Sequence, residues 1–130
     1  MILNSFSISI TFEGLSFIAT LDLPSSLARI GAYAFADLPL LTTLVVPEEV
    51  ISIGEGAFAG MSSLTSIELP FAGNNNASTY PFGYVFGSNY YLGTTATTQS
   101  VYTYYIPNGL QTITINTNAP ISNYAFTNLE

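Results

Sequence analysis

Histidine and cysteine are both absent from these 130 residues, and Arg29 is the only basic side chain. Without histidine the chain lacks the commonest general base and zinc ligand. Without cysteine there is no disulfide framework, no thiolate metal site and no cysteine nucleophile, and the redox compartment is left open. Without lysine a serine–lysine pair is excluded. Eight acids against one arginine give a net charge of −7, which repels phosphate backbones and argues strongly against nucleic acid as a partner. No apolar run reaches the roughly 18 residues that a membrane helix needs, so the 48% hydrophobic composition belongs to an interior and no membrane insertion is expected. No basic leader with a small-residue cleavage site follows Met1, and no signal peptide is read.

The acids that are present are unevenly placed. Seven of the eight lie between residues 13 and 68, and residues 69–129 carry no charge at all. That second half stays soluble on asparagine, threonine, serine and tyrosine.

Most of the organisation lies in residues 21–70, where one pattern is written twice with a spacing of 23 residues. From Pro24 the chain reads PSSLARIGAYAFADLPLLTTLVV, and from Pro47 it reads PEEVISIGEGAFAGMSSLTSIEL. A period of 23 with apolar residues as L-x-x-L-x-L falls in the leucine-rich-repeat range of roughly 20–29 residues. One such unit cannot bury its apolar face alone, so copies stack and share a core. Residues 41–46 and 64–69 alternate as strands, with leucines inward and the intervening residues outward. Pro24, Pro47 and Pro70 then end each strand, because proline has no N–H for a ladder. The recurring Ile-Gly pair is read as a bend and the recurring Ala-Phe pair as filling the opposite wall.

Along the chain, residues 1–11 fit the repeat poorly, although Phe6, Ile8, Ile10 and Phe12 alternate like a half-buried strand. They are expected to cap the repeats or replace a coil. The register holds over residues 12–69 and breaks over 70–106, where Asn74, Asn75 and Asn76 mark a turn and seven of the nine tyrosines follow. PFGYVFG and VYTYYIP read as strands, which makes this tract a tyrosine-rich, β-hairpin-like excursion, either an insertion or a diverged coil. Gly87, Tyr90 and Leu92 keep the diverged-coil alternative open by falling one period after the strand at 64–69. The register returns at Leu110, Ile113 and Ile115, and residues 121–129 repeat 30–38 before stopping in mid-coil, which reads as a truncated repeat. All of it is one domain by length, mostly β with little helix.

The segments LPSSLARIGAYAF and VPEEVISIGEGAFAGMSSLTSIELP resemble the BspA-like leucine-rich repeats of bacterial cell-surface proteins, a class of 23-residue repeats with Ile-Gly and Ala-Phe at these places. The strong likeness covers residues 12–70, with a partial one at 107–129. The family often has cysteine after Ala-Phe, where this chain has Leu38, Met61 and Leu129. The resemblance implies a right-handed leucine-rich-repeat solenoid with a parallel strand face. It also implies a surface or secreted location and a non-enzymatic binding or adhesion role toward host or bacterial surface proteins or glycans. It carries over no catalytic residue and no cofactor.

Candidate chemistry is sparse. Glu48 and Glu49 follow a turn proline and read as solvated. Asp22 and Glu68 fall in one outward column with Val45 and Thr114, but two strand spacings, about 9–10 Å, are wide for a retaining glycosidase pair and borderline for an inverting one, and neither acid has an environment that raises its pKa. A second outward column, Thr20, Thr43, Ser66 and Thr112, lines the strand face that solenoids use for partners, although threonine is also an ordinary sheet residue. The tyrosines, Tyr84, Tyr90, Tyr91, Tyr102 and Tyr104 among them, give rigid amphipathic contact area, or else pack the excursion against the coils. A spacer role within a larger surface protein is the alternative to binding. End-to-end self-association through the C-terminal coil is a further expectation.

Overall fold

A computed structural model of the chain describes residues 6–8, 16–116, 118 and 121–129. Among them the strands are, in order, β1 (Phe6–Ile8), β2 (Leu27–Ile30), β3 (Thr43–Val45), β4 (Ser52–Ile53), β5 (Ser66–Leu69), β6 (Thr94–Gln99), β7 (Tyr102–Pro107) and β8 (Thr112–Ile115). Helix is limited to a 3₁₀ segment at Phe82–Phe86. The protein is mostly strand, as the repeat pattern requires.

The L-x-x-L-x-L segments form strands because their last residues alternate between interior and solvent, and strands of the same pattern pair side by side. In β3 and β5 the partners are Thr43↔Ser66, Leu44↔Ile67 and Val45↔Glu68, all parallel and all one period apart. β8 then pairs with β5 through Ser66↔Thr112, Ile67↔Ile113, Glu68↔Thr114 and Leu69↔Ile115, at twice that distance along the chain. No strand stands between them, and Gly87, Tyr90 and Leu92 lie in neither parallel sheet. A second parallel sheet, not foreseen from the sequence, has the order β1-β2-β4. Arg29↔Ser52 and Ile30↔Ile53 keep the 23-residue offset there. Within the sequence's alternating start, β1 joins β2 through Phe6↔Leu27 and Ile8↔Ile30, with a register shift after Phe6. Ile10 and Phe12 lie outside the described residues.

Between the two sheets the chain turns a corner at each Ala-Phe pair, and the corners are bonded to one another. The N–H groups of Tyr33, Phe35 and Asp37 donate to the carbonyls of Glu55, Ala57 and Ala59 at 3.1, 2.9 and 2.7 Å. The next corner donates onward, Gly56 to Tyr84 and Phe58 to Val85, at 2.9 and 2.8 Å. Phe82 donates to Ala125 at 2.9 Å, so the 3₁₀ segment lies between the second corner and the one near the C-terminus. PFGYVF is therefore a corner rather than a strand. Phe82, Val85 and Phe86 are all buried, a spacing of three and four that turns one side of a tight helix inward.

Each corner closes on a residue in the left-handed region: Asp37 (φ 61°), Gly60 (φ 73°) and Asn128 (φ 62°) are repeat equivalents, and Asp, Gly and Asn are the residues that adopt it at least cost. The glycine of Ile-Gly acts differently from the expected bend. Gly54 has no positive φ; instead a Cβ there would collide with the backbone of Ala32 in the neighbouring coil. Its smallness permits coils to approach.

The core is the stack of equivalent residues. Leu41 and Leu64, Leu44 and Ile67, and Val46 and Leu69 are buried in pairs, and the rings of Phe35 and Phe58 stack with centroids 6.4 Å apart. Removing Phe58 would open a cavity in contact with both neighbouring corners. Phe58→Ala is expected to lower the unfolding free energy by about 3–5 kcal/mol in urea denaturation, and a loss below about 1 kcal/mol would contradict the shared stack.

Candidate functional site

Two surfaces carry the outward residues singled out in the sequence. On the strand face, Thr43, Ser66 and Thr112 do form one column, and Val45, Glu68 and Thr114 the next. Thr20 and Asp22 are exposed but belong to no strand. They line a shallow cavity of about 350 Å³ with Thr43 and Val45 instead of extending the ladder. Glu68 accepts a hydrogen bond from the Asn116 side chain, so it is held to the surface by an amide and has no second acid beside it. Among the described residues no group of three or more His, Cys, Asp or Glu side chains comes together.

The second surface is built on the antiparallel pair β6 and β7, in register from Thr94↔Pro107 to Gln99↔Tyr102. A two-residue connection joins them, with Ser100 at φ 60° supplying the left-handed turn that tight hairpins need. Because side chains alternate across a strand pair, Gln99, Tyr102, Tyr104 and Ile106 share one face, and that face meets the coils. Gln99 is fully buried: its Oε1 accepts from the Gly83 N–H at 2.7 Å and its Nε2 donates to the Thr127 carbonyl at 3.0 Å. One amide thus ties the hairpin to both the 3₁₀ segment and the C-terminal corner. Residues 94–99 were not read as a strand in the sequence, since the positions on the face toward the coils are Thr95, Thr97 and Gln99 rather than apolar.

The tyrosines divide by depth. Tyr104 is only 2% exposed, seated where Gly83 has no side chain; a Cβ at Gly83 would lie 2.7 Å from its ring. It is a mount for the surface, not a part of it. Tyr91 sits likewise over Gly60, where a Cβ would lie 2.6 Å from the ring. Tyr80 and Tyr84 are half-buried and stack with centroids 4.5 Å apart and planes at 19°. Tyr102, 45% exposed, leans on Tyr80 at 5.7 Å and on Tyr104 at 6.0 Å. Tyr90, 63% exposed, meets Tyr105 edge to face at 5.7 Å. The sequence reading missed Tyr80, which completes the cluster, and Glu55, which lies at its edge. The Glu55 carboxylate accepts from the Ser88 hydroxyl at 3.2 Å.

A groove of about 650 Å³ also went unforeseen; Thr95, Thr97, Ile106, Leu110, Ile113 and Leu129 line it between β6 and β8. No local motif marks it, since its walls meet only once the hairpin has folded back.

Two measurements check this arrangement. Replacing Gln99 by alanine strands the buried Gly83 N–H, at about 1–3 kcal/mol, and removes the partner of the part-buried Thr127 carbonyl. The variant is expected to lose stability on that scale and to lose hydrogen-exchange protection at the Gly83 amide; unchanged protection would contradict the tie. Burial, then the charge of Glu55, pushes the Tyr104 phenol well above its ordinary value of 10.0. Tyr84 moves the same way for the same causes, partly opposed by a hydrogen bond with the Glu55 backbone. Both hold their protons more tightly folded than unfolded, so their contribution to stability is full below about pH 10 and falls as the pH rises beyond it. Tyrosine absorbance is expected to show late-ionising phenols, and Tyr104→Phe to lessen the alkaline loss. Stability flat from about pH 9 to about 12 would contradict the burial.

A search of curated proteins and a search of solved structures each returned no significant match. The family model of the BspA type leucine rich repeat region matches residues 8–130, in 6 copies. That span takes in β2 to β8, the corner stack and the hairpin, and the chain belongs to the BspA-type leucine-rich repeat family.

Proposed function

We propose that this chain is a non-enzymatic binding module of a bacterial surface protein, which contacts a protein or glycan through the tyrosine-bearing hairpin and the adjoining strand face. The observation that carries the reading is the division of the tyrosines. Buried rings, Tyr104 above all, fix the hairpin on the coils, and this leaves Tyr90 and Tyr102 exposed on a rigid mount. Rigid aromatic rings among threonine, serine and asparagine give contact area at low entropic cost, as in antibody loops. The family supports a repeat module of the cell surface. No helix among the described residues is long and apolar enough to cross a membrane. The coils are read as a right-handed solenoid, the hand that parallel crossovers adopt. The enlarged step from β5 to β8 is read as one coil that keeps its corner and carries the hairpin as its excursion.

The spacer alternative has one observation in its favour, since Tyr91 and Tyr104 are spent on packing. A screen against immobilised host-matrix proteins and a glycan array separates the two. Under the binding reading, the exposed double variant Tyr90→Ala, Tyr102→Ala weakens the captured partner by tenfold or more, about 1.4 kcal/mol, at unchanged melting temperature. A companion variant, Thr43→Glu with Thr112→Glu, reports on the strand face. A folded chain that captures nothing would move the assignment to the spacer.

A further inference from the structure

We infer that the ring cluster of Tyr80, Tyr84 and Tyr102, with the Glu55 carboxylate at its edge, seats a cationic side chain, arginine or lysine, from a basic segment of a partner protein. The assignment rests on the contact-surface reading above and names what that surface contacts.

The geometry has three parts. Tyr80 and Tyr84 are half-buried and stacked 4.5 Å apart, which closes the space between them to a ligand and leaves only their solvent-side surface. Tyr102 stands at 59° to Tyr80 with centroids 5.7 Å apart, and the two planes open a notch. Behind them Tyr104 fixes Tyr84 edge-on at 6.5 Å and Tyr102 at 6.0 Å. Ring faces carry negative potential and attract a cation placed within about 6 Å, arginine most often. The Glu55 carboxylate lies near enough to join burial, the larger cause, in raising the pKa of both Tyr84 and Tyr104.

Charge selects the ligand class. The chain offers no lysine of its own, and its single arginine, Arg29, is an exposed residue of β2 in the sheet of β1, β2 and β4. With a net charge of −7 and seven acids on the coil half, the protein repels anionic partners and steers basic ones inward. A neutral glycan suits the opposite face of the hairpin better, where Thr98 and Thr103 present paired hydroxyls 3.1 Å apart with no acid among the hairpin residues.

The chain has no tryptophan, so its fluorescence comes from its nine tyrosines, and comparison with Tyr102→Ala separates the share that arises in this cluster. The intact chain is titrated with tetra-arginine, tetra-lysine, tetra-glutamine and tetra-glutamate peptides and with maltotetraose, at low and high salt. The basic peptides are expected to bind, more weakly as salt rises, and the others not. Glu55→Gln keeps the acceptor for Ser88, and Tyr102→Ala removes an exposed ring. Each is expected to weaken tetra-arginine roughly three- to tenfold with the melting temperature unchanged. The control Glu48→Gln with Glu49→Gln, which removes more charge from an exposed turn, is expected to matter less. An equal or larger effect from that control would overturn the site in favour of bulk charge. Maltotetraose binding that Tyr102→Ala abolishes and Glu55→Gln leaves intact would overturn the cation assignment while keeping the contact surface. Basic peptides that do not bind the folded chain would likewise overturn it, and loss of a captured partner in the Tyr90, Tyr102 double variant would still uphold the wider binding reading.

Discussion

Parallel pairing at an offset of one repeat is the constraint on which the rest of this molecule depends. It lays each residue on its own equivalent: Leu44 on Ile67 on Ile113, Phe35 on Phe58. Interior meets interior in every layer, so a single apolar column serves all the coils and none is stable alone. The offset is enforced in more than one place. The two parallel sheets and the row of bonds from Tyr33, Phe35 and Asp37 all specify it. A slip of one residue would turn Leu44 outward and Thr43 inward while breaking the corner bonds, a penalty that no local rearrangement offsets.

The same constraint explains where the tyrosines stand. The step from β5 to β8 carries twice the usual length of chain, and the strand ladder has no room for the surplus. The corner row takes part of it, through Phe58 to Val85 and Phe82 to Ala125, and the antiparallel pair β6 and β7 takes a further part. Because the corners stay bonded across the enlarged step, the hairpin is rooted in the core and does not hang from a loop. Glycines at the corners complete the fit, Gly60 under Tyr91 and Gly83 under Tyr104. The packing beneath the exposed rings fixes the backbone that carries them, which lowers the ordering cost of any contact they make.

Much of this was legible in the sequence. Positions that recur at fixed spacing reveal the stacked strands and the inward leucines, and alternation places Thr43, Ser66 and Thr112 in one column. The second sheet was not legible, because Leu27, Ala28 and Ile30 are all buried and show no alternation. PFGYVF looked like a strand because its aromatic content outweighed its helical spacing. The threonine run at 94–99 concealed a strand whose anchor is a buried glutamine, which no hydrophobic pattern announces. Gly54 was misjudged because its close approach is to the backbone of Ala32, 22 residues away, and not to its own sequence neighbours. Tyr104 and Tyr102 are alike in composition and two residues apart, yet one is buried and the other exposed; only the location of Gly83 separates them.

The measurement that bears most directly on the stacked-coil account is the pattern of nuclear Overhauser contacts along β5 in the labelled protein. Contacts from Ser66 and Ile67 to Thr112 and Ile113 are the expected result, since the enlarged step then leaves the ladder intact and roots the hairpin in the corner row. Contacts from β5 to residues 87–92 instead would mean that the tyrosine tract supplies an ordinary strand, and the account of how the aromatic surface is held would fail.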